Sequence, residues 1–295
     1  MPELPEVETV RRQLEPALVG RRFGDVERVE PSMLRDTTAQ ELRVALPGAR
    51  VDSVLRRGKF LLIALSGGNV MTVHLGMTGQ LLTLPVAAPL PAHARFVFTL
   101  GGAGRSAAAL TARRAATRAG VPVPSRSGLR LVFNDPRKFG RLHLTRGPAE
   151  RLERLGPDAL EDDWDRDALA AELAGRRAPL KAFLLDQRHL AGIGNIYADE
   201  ILFAAGLSPL RPAGSLSDDE IARLAEQVRE RLAEGVRLRG CSISDYVDVQ
   251  GRKGSFQEVL QAYGRRGERC RRCGGTLLRA IVAGRGTSYC PDCQH

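Results

Sequence analysis

The chain opens MPELPEVETVRRQL, with a proline in second place and a glutamate directly after it. Removal of the initiator methionine leaves Pro2 as a free secondary amine. An α-amino group has a reference pKa of about 7.7 to 8.0, against about 10.4 for lysine, so a useful fraction is neutral near pH 7 without deep burial. Attack by such an amine on a sugar or aldehyde carbon gives an iminium ion with no N–H to lose, a fixed positive charge that draws electrons for elimination. A structural reading competes. Proline is favoured at the first helical position, Glu3 and Glu6 suit the positive end of a helix dipole, and Val7, Val10, Leu14 and Leu18 supply one apolar face.

At the other end, CRRCGGTLLRAIVAGRGTSYCPDC places Cys270, Cys273, Cys290 and Cys293 as two C-x2-C pairs separated by 16 residues. This spacing predicts a four-cysteine zinc ribbon, in which two knuckles close a thiolate tetrahedron around one ion. A closed set leaves no open coordination position, so the zinc is structural. Cys241 is left over as a small buried or half-buried side chain. Arg285 stands between two glycines at an expected hairpin tip, from which a guanidinium can reach a phosphate.

In LLDQRHLAGIGNIYADEILF two apolar helices are joined by a segment in which Gly192 and Gly194 free the backbone and Asn195 opens the second helix. Backbone N–H groups there form a phosphate site, or else Asn195 simply caps an ordinary helical hairpin. The β-rich half offers Lys59 at the start of an apolar strand in RRGKFLL, His74 and Met77 around a glycine turn in VHLGMTG, and Arg137 and Phe139 on the turn NDPRKFG. These are ordinary strand-end and turn residues, or a wedge of methionine, arginine and phenylalanine that enters a duplex and fills the space of an extruded base.

Elements must position these groups, and the chain of 295 residues is long enough for one large or two ordinary domains. A net charge of +10 and a pI near 10.0 point to a polyanionic partner. From Gly235 onward there are 11 Lys or Arg against 5 Asp or Glu, so the charge is concentrated at one end. Apolar runs such as FLLIAL fall far short of a membrane span and the N-terminus lacks a signal-peptide layout, which places the protein in the cytosol. From about residue 21 to 145, short β-rich runs (DVERVE, RVDSVLRR, KFLLIAL, NVMTVHL, RFVFTL, LRLVFND, GRLHL) predict a β-sandwich or flattened barrel, with a helix at TTAQELRVAL. A segment with five arginines and no acid, at 101–128, reads as a flexible insert. Helical spacing follows in PAERLERLG, DWDRDALAAELA, PLKAFLLDQRHL, NIYADEILFAAG and SDDEIARLAEQVRERLAEGV, the last capped by Ser217 or its neighbour.

Taken in order, PELPEVE, RRGKFLL, HLGMTG, NDPRKFG, LLDQRHLAGIGNIYADE, YGRRGERC and the terminal ribbon resemble the formamidopyrimidine-DNA glycosylases, bacterial base-excision enzymes for oxidised purines, over nearly the whole chain. The resemblance implies an α+β multidomain fold. An N-terminal helix and β-sandwich occupy 1–147, a helix-two-turns-helix domain 148–240, a lesion-recognition loop and linker 241–264, and the zinc finger 265–295. It further implies that Pro2 attacks C1′ of the damaged nucleoside, that Glu3 serves as acid/base, and that β and then δ elimination cut both sides of the abasic sugar. Lys59, Lys181, Asn195, Arg285, His74 and Tyr263 are implied in holding the DNA, and Met77, Arg137 and Phe139 in the wedge, with Arg137 pairing with the orphaned cytosine. Expected partners are one structural zinc and duplex DNA bearing oxidised bases or abasic sites, bound by a monomer in the bacterial cytosol or nucleoid.

Two departures stand out: Lys138 replaces a second arginine common in that family, and Cys241 replaces a hydroxyl residue. Endonuclease VIII, a sister acting on oxidised pyrimidines, is the enzymatic alternative, disfavoured by PELPE and SISDYVDVQGRKGSF. A noncatalytic lesion-binding protein would account for the charge and the ribbon but not for Pro2 and Glu3.

Overall fold

The computed structural model describes residues 1–102 and 128–295. Most of the insert expected at 101–128 therefore lies outside the described residues. The chain divides into two compact units, one formed by Met1–Pro2, Glu6–Glu153 and Cys241–Gly254, the other by Glu3–Pro5, Arg154–Gly240 and Ser255–His295.

The first unit is a sandwich. Helix α1 (Leu4–Leu18) contributes to it from Glu6 onward, followed by β1 (Arg22–Arg28), β2 (Leu34–Arg35), α2 (Ala39–Ala45), β3 (Val51–Arg57), β4 (Phe60–Leu65), β5 (Asn69–His74), β6 (Gln80–Pro85), β7 (Ala94–Gly101), β8 (Leu129–Asn134) and β9 (Arg141–Arg146). One sheet runs β1-β7-β8-β6 and the other β2-β9-β5-β4-β3, so the flattened-barrel alternative falls away. Alternation does the work: Leu61, Ile63 and Leu65 of β4 face the same core as Phe96, Phe98 and Phe133 of the opposite sheet. Val7, Val10, Leu14 and Leu18 of α1 join that core, and Glu8 pairs with Arg56 of β3 at 3.1 Å. The α2 helix starts on a capping box between Thr38 and Glu41.

Three strands depart from the sequence pattern, of which β2, two residues long, is too short to carry any period. β1 begins at Arg22 rather than near Asp25, running through Gly24, where a Cβ would come within 2.6 Å of the Thr99 hydroxyl of β7. Gly24 thus marks a close approach between β1 and β7. The sequence does not show β6, because only Leu81 of its residues is buried, which leaves QLLTLP without a period of two.

In the second unit, α3 (Arg166–Leu173), α4 (Leu180–Leu185), α5 (Asn195–Ala205) and α6 (Asp218–Arg237) follow the expected helical runs. Ser217 is the N-cap of α6, in a capping box with Glu220. The helix expected in PAERLERLG is instead a single 3-10 turn at Glu150–Leu152, within the first unit. Helix α5 is buried along almost its whole length and ends on left-handed Gly206. The ribbon strands β10 (Leu278–Val282) and β11 (Arg285–Tyr289) pair antiparallel, and Phe203 of α5 packs against Leu277, Cys270 and Cys290.

Candidate active site and nucleic-acid interface

Helix α1 starts at Leu4, so Pro2 is not its first residue; Pro5 lies in the first turn, where a missing N–H breaks no intrahelical bond. Pro2 is buried behind an exposed Met1. Glu3 is anchored by its side chain: Oε2 accepts from the N–H of Gly194 at 2.7 Å and of Tyr197 at 3.3 Å, and Oε1 from the N–H of Ile196 at 2.8 Å. The backbone donors expected to cradle a phosphate at the start of α5 are therefore taken by this carboxylate. Gly194 has no room for more, since a Cβ there would lie 2.3 Å from the Glu3 carboxyl carbon. Asn195 is not the N-cap either. Gly194 holds that position, and the Asn195 amide donates instead to the Gly286 carbonyl at 3.2 Å.

Lys181, which the resemblance implies in holding the DNA, is 0% exposed. Its ammonium forms an ion pair with Asp199 Oδ1 at 2.7 Å and donates to Thr287 Oγ1 at 2.9 Å and the Gly286 carbonyl at 3.1 Å. Lys181 thus ties β11 to α5, and its contact is with the hairpin that carries Arg285. Burial lowers the Lys181 pKa and raises that of Asp199 to about 6. Both Glu3 and Arg285 are near enough to act on the Lys181 charge, with opposite signs. The second unit therefore gathers Glu3, Lys181, Asn195 and Arg285 in one neighbourhood. Arg285 itself is exposed, one residue past a turn in which Ala283 and Gly284 both have positive φ, 48° and 71°.

Half-buried Tyr263 is placed through its backbone: Glu200 Oε1 accepts its N–H at 2.8 Å and that of Ala262 at 2.9 Å, while Oε2 takes Gln261. Asp199 and Glu200 were missed in the sequence, although two adjacent acids inside an apolar helix of a basic chain are a signal of buried carboxylates with assigned partners. The four ribbon thiols lie within 4.8 Å of one another, with Cys273 to Cys290 at 3.5 Å and Cys270 to Cys293 at 3.9 Å. Thiolates on a zinc tetrahedron with bonds of about 2.3 Å stand about 3.8 Å apart, whereas a disulfide requires about 2.05 Å, so the set fits zinc. The N–H groups of Arg272 and Gly275 point at the Cys270 and Cys273 sulfurs at 3.4 Å, as knuckles do.

In the first unit Lys59 follows left-handed Gly58 at the β3–β4 turn and is buried. Phe60 beside it pairs in register with His74, and the two rings lie 4.8 Å apart. Burial, followed by the charges of Lys59, Arg151 and Arg141, lowers the His74 pKa to about 4, so this imidazole is neutral at pH 7. Its Nδ1 accepts from the Gly76 N–H at 3.1 Å, leaving Nε2–H as a neutral donor.

Met77 and Phe139 are 39% and 42% exposed, and the Arg137 guanidinium lies 4.6 Å from the Phe139 ring. The two loops touch through backbone: a Cβ on Gly76 (φ 66°) would meet the Phe139 carbonyl carbon at 2.5 Å. Buried Asp135, not singled out in the sequence, joins them, and the exposed His93 lies alongside, its carbonyl accepting the Asp135 N–H at 3.0 Å. Lys138 has φ 56° and pairs with Glu30 at 2.6 Å. The Cys241 N–H donates to Glu6 at 2.8 Å, and the following loop is tied down where Asp248 accepts from Gln13 at 3.0 Å.

Comparison with known proteins decides the family. A relative from Carboxydothermus hydrogenoformans named formamidopyrimidine-DNA glycosylase is 43% identical over 294 residues, covering 100% of both chains. The chain belongs to the formamidopyrimidine-DNA glycosylase family. Residues 1–142 match the family model of the formamidopyrimidine-DNA glycosylase N-terminal domain, 155–247 the H2TH domain of that family, and 267–295 the zinc finger found in FPG and IleRS. A second formamidopyrimidine-DNA glycosylase, from Moorella thermoacetica, is 46% identical, covering 95% of this chain and 94% of its own. The crystal structure of the MutM (FPG) protein from Thermus thermophilus superposes with a TM-score of 0.80 at 41% identity, covering 99% of this chain and 98% of that one. A Lactococcus lactis FPG mutant, solved with DNA containing Fapy-dG, gives 0.85 at 32% identity with 100% of both chains covered. Among the described residues no helix is long and apolar enough to cross a membrane.

Proposed function

We propose that this chain is a bifunctional DNA glycosylase and abasic-site lyase of base excision repair, removing 8-oxoguanine and formamidopyrimidines from duplex DNA. The observation that carries the reading is the Pro2–Glu3 pair: the proline stands outside the helix that would otherwise explain it, and Glu3 is fixed by three backbone donors. Family membership and the net charge of +10 support it, as does the solution of Lactococcus lactis relatives with Fapy-dG and abasic DNA.

After removal of Met1, the Pro2 nitrogen bonds to C1′ while the C1′–base bond breaks and its electron pair leaves with the base, which is protonated. Glu3 assists opening of the sugar ring and the accompanying proton transfers. The resulting iminium acidifies C2′; loss of that proton expels the 3′ phosphate, and loss of the C4′ proton expels the 5′ phosphate. Lys59, Asn195, Arg285 and Tyr263 bind phosphates, His74 donates to one as a neutral imidazole, and Lys181 acts through the hairpin it holds. Met77, Arg137 and Phe139 occupy the gap left by the extruded nucleotide. Cys270, Cys273, Cys290 and Cys293 would hold one zinc, which supplies folding of the ribbon and no chemistry of its own. The protein acts as a monomer in the bacterial cytosol or nucleoid.

Borohydride reduction during incubation with duplexes carrying 8-oxoguanine opposite cytosine, thymine glycol or an abasic site tests this. A trapped adduct and excision favouring 8-oxoguanine are expected. Preference for thymine glycol assigns the endonuclease VIII-type activity, and tight binding with no adduct on any duplex refutes catalysis.

A further inference from the structure

Asp135 sits at the end of β8, in the turn that leads to Arg137 and Phe139, and it is 0% exposed. Its carboxylate reaches across to the other loop. Oδ1 accepts from the Thr78 hydroxyl at 2.5 Å, one residue past Met77, and from the Arg137 N–H at 3.1 Å; Oδ2 accepts from the Gly140 N–H at 2.8 Å, one residue past Phe139. Each donor is the immediate neighbour of a wedge side chain, or belongs to one.

The backbone that carries this carboxylate is held as well. Its own N–H is held by the His93 carbonyl at 3.0 Å and its carbonyl by Arg95 Nε at 2.8 Å. Glycines line the junction because nothing larger fits. A Cβ on Gly140 would meet the Phe133 ring at 2.3 Å, and one on Gly79 would meet the Leu75 carbonyl at 2.2 Å. Meanwhile Met77, Arg137 and Phe139 remain at the surface. Exposed apolar side chains have no hydrogen bonds to fix them, so their placement depends on the backbone beneath.

We propose that Asp135 is a positioning residue that locks the Met77 loop to the Arg137–Phe139 turn, so that the three side chains enter DNA as one preformed wedge. The proposal rests on the wedge reading given above. Without the lock, ordering the two loops is added to the cost of extruding the nucleotide, which is greatest for a paired base and least for a site that is already unpaired. The lock therefore matters where a paired base must be extruded and matters little where none remains.

Asp135→Asn keeps the shape but turns an N–H toward the Gly140 or Thr78 donor, and Thr78→Val removes the hydroxyl at nearly constant volume. Single-turnover excision of 8-oxoguanine from duplex DNA is expected to slow about tenfold or more in Asp135→Asn and somewhat less in Thr78→Val, as the loss of a buried hydrogen bond implies. Thr78→Ser should stay near wild type. Nicking of a preformed abasic site should change by less than about threefold in all three variants, and the preference for cytosine over adenine opposite the lesion should weaken in Asp135→Asn. A 2-aminopurine beside the lesion should report slower unstacking. Equal slowing on lesion and abasic substrates, or unchanged duplex excision in both Asp135→Asn and Thr78→Val, overturns the lock. If Asp135→Asn does not fold, Thr78→Val against Thr78→Ser decides. Failure of the wild-type protein to excise from any duplex would fall on the proposed function instead.

Discussion

The two units fix their functional groups by opposite routes. In the second, buried carboxylates act on polar partners: Glu3 takes the amides of Gly194, Ile196 and Tyr197, Asp199 takes Lys181 and the Ser288 N–H, and Glu200 takes the amides of Gln261 to Tyr263. A cation and a backbone carbonyl then pass the restraint on to the hairpin bearing Arg285. In the first unit the exposed groups at the tips of the loops include two apolar side chains, and a single carboxylate, Asp135, holds the backbone around them. Polar ligand-binding groups can be aimed by hydrogen bonds to themselves or to their neighbours; an apolar wedge can be aimed only through its main chain. The first kind of region should fail by losing affinity or fold, the second by losing only the step that needs insertion.

The largest expected effect breaks the chemistry and spares both scaffolds. Retaining an extension on the N-terminus, so that the Pro2 amine is blocked, should abolish adduct trapping and strand cleavage while gel-shift affinity for lesion DNA persists. Undiminished trapping by a blocked chain would remove Pro2 from the mechanism. Glu3→Gln sharpens the point, since base excision should stop while cleavage of preformed abasic sites survives in part; equal losses on both substrates speak against its acid/base role.

Next comes the ribbon. Metal analysis should find one zinc per chain, and Cys290→Ser or chelation should unfold the hairpin and lower DNA affinity by roughly a hundredfold or more, because metal binding and folding of such a module are one equilibrium. Arg285→Ala should weaken binding with the zinc retained. Unchanged affinity after complete zinc removal would contradict this linkage.

The Lys181–Asp199 pair gives a smaller effect. Lys181→Met strands Asp199 as a buried, uncompensated charge, and denaturant unfolding should show a loss of about 3 to 5 kcal/mol. Asp199→Asn in the same chain removes that charge and can still accept the Ser288 N–H, so the double variant should recover much of the loss. If the double variant is no more stable than Lys181→Met, the clamp is not what the pair provides.

The smallest effect belongs to His74. Its folded pKa of about 4 lies below the unfolded reference of about 6.5, so the unfolded chain binds the extra proton first and stability falls as the pH drops from 6.5 toward 4. Between pH 7 and pH 5 this amounts to about 2 kcal/mol, and His143, shifted the same way by burial, adds to it. His74→Gln should flatten this part of the stability profile in urea melts. An unaltered slope would show that half-buried His74 is not held neutral in solution.

How far the sequence carries depends on distance along the chain. The zinc set was legible because its ligands come as two close pairs on either side of one hairpin, and α6 because Ser217, Glu220 and a stripe of Ile221, Leu224, Val228 and Leu232 state their own cap and face. The apolar period of α1 placed its core face correctly, yet it could not say that the helix begins at Leu4 and leaves Pro2 outside. β6 was lost because a strand with one buried residue carries no alternation to read.

Covalent spacing and local periodicity, which act within a few residues, determined by sequence alone the Pro-Glu start, the thiolate tetrad, the amphipathic helices and the basic balance. Tertiary structure alone decided what each charged or polar group faces. The donors that Glu3 fills at the start of α5 lie 191 to 194 residues away, Lys181 meets Thr287 across 106 residues, and Asp135 meets Thr78 across 57. No local pattern encodes such partners, since a buried carboxylate accepts whatever donors the packing brings within reach, and burial itself exists only once the chain has closed around it.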